Sequence, residues 1–223
     1  MKPILLFDID GTLLHVKRKF LRDVIDQILL ELGIRRSILD GMSFAGRTDK
    51  DIFSELVKVE ENTNGLFDRV KNLYIAHMQR ALTHSQLSVI EGATEVIEFA
   101  RNEKLKMGLC TGNFKEVAYT KVKAAGFDDT FQFGGFGCNH RDRIYLPQDA
   151  HMEYESLTGV RPVPENYIVI GDTPNDVRCA RYFGAKSVAV TTGGFSRVEL
   201  EKHNPDLVLD HLGDTENWLP KLA

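Results

Sequence analysis

From about Ser88 to the C-terminus, stretches with helical spacing alternate with short apolar runs, and few folds accommodate that alternation. Helices are expected over Thr94–Asn102, Lys115–Ala125, Pro147–Leu157 and Asn175–Phe183, with Gly126 and Gly184 as stop signals. Between and after them, Lys106–Cys110, Phe131–Phe136, Tyr167–Ile170, Ser187–Val190 and Leu207–Leu209 read as strands. Strands separated by helices need crossover connections, which produce a parallel sheet covered on both faces. One more strand, Pro3–Ile9, stands far upstream and must join that sheet, because a single strand has no stability of its own. The expected fold is therefore α/β, a Rossmann-like three-layer core built on a parallel sheet.

The segment between the first strand and Ser88 follows a different pattern. Asp23–Leu32 carries Val24, Ile25, Ile28, Leu29 and Leu32 at helical spacing and stops at Gly33. Asp49–Val59 and Leu66–Leu82 read as further helices, with Asn62-Thr63-Asn64-Gly65 as the turn between them. The chain thus divides into a core, residues 1–15 plus 87–223, and an inserted all-helical cap, residues 16–86. An all-helical insert placed just past a candidate site reads as a lid.

Composition narrows the function classes. The 223 residues carry a net charge of −4, a poor electrostatic match for nucleic acid or an anionic membrane. The cysteines Cys110, Cys138 and Cys179 are odd in number and lack CxxC spacing, which argues against a disulfide framework or a zinc site. Cys110, inside an apolar run, is expected to be a buried small residue. No apolar run approaches the roughly 18 residues of a membrane span, and from the Met1-Lys2-Pro3 start no signal peptide is expected. The expectation is a cytoplasmic protein, monomer or homodimer, with no nucleic-acid or membrane partner.

Three strands end in polar, turn-forming residues. Asp8-Ile9-Asp10-Gly11-Thr12-Leu13 follows the first, Thr111-Gly112-Asn113 the second, and Gly171-Asp172-Thr173-Pro174-Asn175-Asp176 a third. In a parallel sheet these ends share one edge, where ligands bind. Two acids two positions apart repel unless something offsets their charge, and a divalent cation would do so. Thr111–Asn113 precede a helix, so backbone N–H groups there point at an anion, although the same residues also suit a plain N-cap turn. Asp172 and Asp176 flank Pro174 and also suit capping.

The order DxDGTL, TGN, GDTxxD resembles the haloacid dehalogenase superfamily, and within it the helical-cap phosphatases that include phosphoglycolate phosphatase-like enzymes. The resemblance implies an Mg²⁺-dependent phosphoric monoester hydrolase that acts on a small phosphorylated metabolite, phosphoglycolate first, through an aspartyl-phosphate. It assigns Asp8 as nucleophile and Asp10 as general acid and then base. Asp8 and Asp172 would bind the metal with the backbone carbonyl of Asp10, and Asp176 would act through water or as an orienting group. Thr111, Gly112 and Asn113 would bind phosphate.

The sequence departs from the family in two places. The family's basic residue is usually a lysine before proline, and none stands between Phe131 and Gly171. Arg143 is closest to the expected place, with Arg141 second, and arginine can bridge phosphate and carboxylate. Leu14-His15-Val16 also replace the Asp-Ser or Asp-Thr pair that many relatives carry after the first motif. In the cap, Phe44-Ala45-Gly46-Arg47-Thr48-Asp49 resembles a segment common in this branch; Arg47 could pair with an acidic leaving group, and Thr48 equally suits an N-cap. Lys17-Arg18-Lys19 reads first as a solvated run. A phosphosugar mutase would use the same residues, and a catalytically idle binding module is the reading from a different class.

Overall fold

The computed structural model of the protein describes residues 2–39, 42, 44–58 and 65–222. The chain opens with strand β1, Ile4–Phe7, followed by β2, Leu14–Val16. Helices α1 (Arg18–Leu32), α2 (Asp49–Lys58) and α3 (Leu66–Ala81) come next, and β3 (Leu87–Val89) closes that stretch. The remainder runs α4 (Ala93–Asn102), β4 (Lys106–Thr111), α5 (Lys115–Ala124), β5 (Gly134–Phe136) and α6 (Leu146–Thr158). It ends with β6 (Tyr167–Gly171), α7 (Pro174–Phe183), β7 (Lys186–Val190), α8 (Arg197–Glu201), β8 (Leu207–Leu209) and α9 (Thr215–Trp218).

Six strands form one parallel sheet in the order β5-β4-β1-β6-β7-β8. β1 lies between β4 and β6, with Phe7 opposite Leu109 on one side and Ile170 on the other. A strand this central has no solvent face, which is why Ile4-Leu5-Leu6-Phe7 is apolar at every position. The pleat divides these side chains between two cores. Leu5 and Phe7 join Ile168, Ile170 and Leu109 under α4 and α5. Ile4 and Leu6 join Val169 and Tyr167 under α6 and α7. The result is the three-layer α/β architecture expected from the alternation.

Three differences from the sequence reading have physical causes. The strand expected over Phe131–Phe136 is confined to Gly134–Phe136. Phe131 and Phe133 are apolar because they fill the core, Phe131 against Phe7 and Phe133 against Tyr154, rather than because they pair in the ladder throughout. Helix α1 begins at Arg18, five residues early, and takes in most of the charged run, since Lys and Arg are good helix formers whose heads stay in water. The two-stranded antiparallel ribbon β2–β3 has no sequence signature at three residues per strand; it pairs Leu14 with Val89 and Val16 with Leu87. The proposed turn at Asn62-Thr63-Asn64 lies outside the described residues.

The helices between β2 and β3 share one hydrophobic core with the sheet layer, and Phe114, which starts α5 and is fully buried, sits in it. Its ring stacks on Phe53 of α2 at 5.7 Å and meets Tyr74 of α3 edge-on at 6.4 Å. Beside it the backbone of segment 46–51 lies directly on the core loops. Asp49 N–H donates to the Gly112 carbonyl at 2.7 Å, and the Thr48 hydroxyl donates to the Arg141 carbonyl at 3.0 Å. Asn175 Nδ2 donates to the Gly46 carbonyl at 2.7 Å. Only glycine fits beneath this segment at position 112: a Cβ there would stand 2.1 Å from the Arg47 carbonyl oxygen.

Candidate active site

The site forms where β1, β4 and β6 end side by side. Asp8 N–H extends the ladder by donating to the Ile170 carbonyl at 2.9 Å, which fixes the backbone that carries the first carboxylate. Its side chain is 4% exposed. Carboxylate oxygens of Asp8, Asp172 and Asp176 all lie within 4.8 Å of one another. Arg143, on the 3-10 turn Arg143–Tyr145 ahead of α6, reaches into this cluster and is itself 4% exposed. Its Nη2 stands 3.1 Å from Asp8 Oδ1, donates to the Cys110 carbonyl at 3.1 Å and pairs with Asp176 Oδ1. Of the two arginines considered from sequence, Arg143 meets Asp8, whereas Arg141 lies on the surface and grips Asp51 Oδ1 with Nε at 3.0 Å and Nη2 at 2.7 Å.

Burial drives the electrostatics. It pushes the Asp8 carboxyl up to about 6, with Arg143 opposing and Asp176 and Asp10 adding to the rise. It pushes Asp172 up to about 8, with Asp8 and Asp176 adding and Arg143 and the Thr12 hydroxyl opposing. For Arg143, burial works against the charged form, but Asp176 and Asp8 outweigh it and hold the guanidinium protonated.

One arginine does not balance three buried acids, and a cation among them would lower the repulsion. The donor set is all carboxylate oxygen, which suits a hard ion such as Mg²⁺. The seat is also shaped for Asp172: a Cβ at Gly193 would stand 1.7 Å from its Oδ2. Asp176 is the least available of the three. Its Oδ1 takes Arg143 and its Oδ2 accepts from Thr173 N–H at 2.9 Å and the Thr173 hydroxyl at 2.7 Å. It therefore suits orienting its neighbours more than direct ligation.

The second acid of the first motif points elsewhere. Asp10 is outside the carboxylate cluster, and its side chain, 43% exposed, lies toward β4 and α5. Lys121 Nζ donates to Asp10 Oδ1 at 2.8 Å and Oδ2 at 2.6 Å, and to Asn113 Oδ1 at 2.7 Å. Asn113 Nδ2 donates in turn to Asp10 Oδ2 and to the Thr111 hydroxyl, both at 2.8 Å. Burial raises the Asp10 carboxyl, but Lys121 and Asn113 outweigh it and hold the group below its ordinary value. Thr111 is fully buried and accepts from Asn113, so its own proton remains available to a ligand. On Arg143, Nε is buried without a hydrogen-bond partner, a second spare donor beside Asp8.

Sequence reading missed Lys121 and Asp49. Lys121 is 3% exposed on the face of α5 that also buries Val117, Ala118 and Val122. A lysine on that apolar stripe was the available signal. Asp49, the first residue of α2, accepts from Phe114 N–H at 2.8 Å and feels both Lys121 and Asp10. Burial pushes it up to about 7, with Lys121 and the Phe114 N–H opposing and Asp10 adding. Arg47 lines a cleft of about 300 Å³ between α2 and the core loops, with Arg141, Arg143, Asn175 and Arg178. Its Nε donates to Asp51 at 2.7 Å and its Nη2 pairs with Glu55.

A parallel α/β sheet with buried acids gathered at its carboxyl edge, beside donors free to take an anion, defines the general class of the site. The family follows from the match of residues 3–184 to the haloacid dehalogenase-like hydrolase model, and the chain belongs to that family. Among curated relatives, the pyrophosphatase PpaX of Bacillus thuringiensis (strain Al Hakam) is 23% identical over 211 residues, which cover 94% of this chain and 92% of the relative. A predicted phosphoglycolate phosphatase from Haemophilus somnus 129PT superposes with a TM-score of 0.69 at 19% identity over 96% of each chain. A β-phosphoglucomutase from Clostridium difficile gives 0.68 at 17% identity, covering 100% of this chain and 97% of its own. At these identities the structural likeness speaks for the fold. No helix among the described residues is long and apolar enough to cross a membrane.

Proposed function

We propose that the protein is an Mg²⁺-dependent phosphatase of small phosphorylated metabolites, working through an aspartyl-phosphate on Asp8. The observation that carries this reading is the separation of the two aspartates of the first motif. Asp8 stands among buried acids beside Arg143, and Asp10 faces away toward Lys121 and Asn113. That separation gives the nucleophile and the proton-handling group different surroundings, as two carboxylates with two roles require.

In this reading residues 16–86 are the cap and residues 1–15 with 87–223 the core. Asp8 attacks phosphorus. Arg143 and the Thr111 hydroxyl meet charge on the phosphoryl oxygens, joined by the Gly112 backbone N–H. Asp8, Asp172 and the backbone carbonyl of Asp10 would hold Mg²⁺, with Asp176 as an orienting group, and the ion would supply further positive charge to the transferring group. Asp10 moves protons at the leaving oxygen and then at the attacking water. The seat of segment 46–51 on Gly112 keeps bulk water from the reacting atoms.

Phosphoglycolate is the first ester to assay, and pyrophosphate belongs beside it because a relative carries that activity in its name. Turnover of p-nitrophenyl phosphate with Mg²⁺ tests the class, and Asp8→Asn should reduce it by more than about 10³-fold. A wild-type protein that hydrolyses neither p-nitrophenyl phosphate nor any metabolite in a phosphate-ester screen sinks the reading and leaves the idle binding module. The mutase reading gains from the arginines in the cleft, which could hold a second phosphate. Single-turnover product analysis separates the two, since a mutase returns the phosphoryl group to sugar.

A further inference from the structure

In the phosphatase reading the leaving oxygen departs beside Asp10, and open space borders that side of the site: the Asp10 side chain is 43% exposed and Asp49 is part-buried. The cap places two polar groups there. Asp49 and Phe53, four residues apart, share one face of α2. The Phe53 ring lies 5.0 Å from the ring of Tyr74 on α3. Tyr74 is 6% exposed, and its hydroxyl makes no hydrogen bond with the described residues, although a buried tyrosine hydroxyl ordinarily finds a partner. Burial, then Asp49 and Asp10, push that hydroxyl well above the ordinary tyrosine value, so it stays a donor close to both acids. Asp49 spends Oδ2 on the Phe114 N–H and takes no hydrogen bond at Oδ1 from the described residues. The nearby cations are committed. Lys121 gives its three protons to Asp10 Oδ1, Asp10 Oδ2 and Asn113 Oδ1. Arg143 is held on the far side by Asp8 and Asp176, and Arg47 pairs with Asp51 and Glu55 in the arginine cleft.

We propose that Tyr74 and Asp49 form the specificity-determining pair of the cap, and that they select phosphomonoesters whose leaving group is uncharged and carries hydroxyl groups, as in polyol and sugar phosphates, over substrates whose leaving group bears a carboxylate or a phosphate. The inference rests on the phosphatase reading above and names its substrate class. A hydroxyl on the leaving group donates to Asp49 Oδ1 and accepts from the Tyr74 hydroxyl, so both groups gain the partner they lack. A carboxylate or phosphate in that place only accepts, and it meets the charges of Asp10 and Asp49 with no uncommitted proton on Lys121. The pair therefore discriminates twice: Tyr74 adds a hydrogen bond to the favoured class, and Asp49 repels the other. The favoured class also fits the role given to Asp10, since an alcohol departing from phosphorus needs the proton that Asp10 supplies.

The test is kcat/KM, with Mg²⁺, in wild type, Tyr74→Phe and Asp49→Asn. The substrates are glycerol, ribose and glucose phosphates, then phosphoglycolate and pyrophosphate, and phenyl phosphate as a reference whose leaving group has no second polar group. In wild type the best of the hydroxylated esters should exceed both anionic substrates by at least about tenfold. A smaller or reversed ratio overturns the inference while the phosphatase reading stands, without any variant having to fold. Tyr74→Phe should lower the best hydroxylated ester relative to phenyl phosphate by about three- to tenfold, the worth of one neutral hydrogen bond. Asp49→Asn keeps an acceptor for the Phe114 N–H and should raise the anionic substrates relative to phenyl phosphate by at least about threefold. Side chains that only braced the cap would move all substrates together, and either ratio left unchanged overturns the inference. No turnover of any of these substrates overturns both readings.

Discussion

Replacing Arg143 by methionine isolates what the guanidinium does for the acid cluster. Methionine keeps much of the buried stem and removes the charge, leaving Asp8, Asp172 and Asp176 within 4.8 Å of one another with no cation facing them. At an effective dielectric near 20, opposite charges 3–4 Å apart attract by roughly 4–5 kcal/mol, and Arg143 makes two such pairs. The full sum is not lost, because Asp172, already pushed up to about 8, carries a proton at neutral pH and so removes part of the repulsion. Breaking a buried ion pair from one side costs about 3–5 kcal/mol, and that range is the expected loss of stability. For a chain of this size it corresponds to a fall in Tm of roughly 6–20 °C.

The measurement is thermal unfolding of wild type and Arg143→Met, each in EDTA and in excess Mg²⁺. An ion at 100 times its Kd adds about 2.7 kcal/mol to the folded state. The gain should be larger in the variant, where the acids have no other counter-charge. Arg143→Lys should recover more than half of the EDTA deficit, since one ammonium nitrogen offers three donors to the acceptors that Nη2 now serves. If Arg143→Met melts within about 2 °C of wild type in EDTA, the cluster does not depend on that guanidinium and the electrostatic account of the site is wrong.

Two further predictions concern segment 46–51 and its seat on the core loops. Gly112→Ala would place a methyl 2.1 Å from the Arg47 carbonyl, so segment 46–51 must lift; the expected cost is about 1–3 kcal/mol in urea unfolding, with kcat lowered about tenfold or more, and unchanged values for both would show that the segment does not seat there. Asp49, whose folded-state value is raised to about 7, binds its proton more tightly folded than unfolded, so its contribution is complete below about pH 4 and lost as pH rises through 7. Asp49→Asn keeps an acceptor for the Phe114 N–H, and its stability relative to wild type should rise between pH 4.5 and 7.5 in EDTA; a pH-independent difference would contradict the burial argument.

The sheet was legible because each of its signals is local. Ile4–Phe7 is apolar throughout because it is central, and the polar triplets after β1, β4 and β6 announce the edge where they meet. The acid cluster was legible for the same reason: its members sit at fixed offsets from strand ends. Lys121 was harder to read: its place on the apolar stripe of Val117, Ala118 and Val122 was a signal, but α5 also carries Lys115 and Lys123, so the stripe must be read before the inward lysine stands out. Asp49 and the seat of its segment depend on contacts more than sixty residues apart, which no window of sequence contains. Phe114 shows the same limit from the other side. It is the first apolar residue after Thr111-Gly112-Asn113, and nothing local indicates that its ring belongs to α2 and α3 rather than to the helix it starts.

The ribbon β2–β3 has a consequence for how such a chain can change over evolutionary time. The helical stretch leaves the sheet layer at Val16 and returns at Leu87, and those two residues are cross-strand partners, about 5 Å apart. To the sheet, the roughly 70 residues between them are one closed loop, whose entropic cost grows only with the logarithm of its length. A shorter hairpin or a different bundle would close the same ribbon at nearly the same cost, leaving the register of β1, β4 and β6 untouched. What a replacement would have to supply is a new partner for Phe114 and a new backbone over Gly112. The sheet edge with its acid cluster and the helical stretch thus lie on separately exchangeable pieces of one polypeptide, linked through one ribbon and packed together around Phe114 and Gly112.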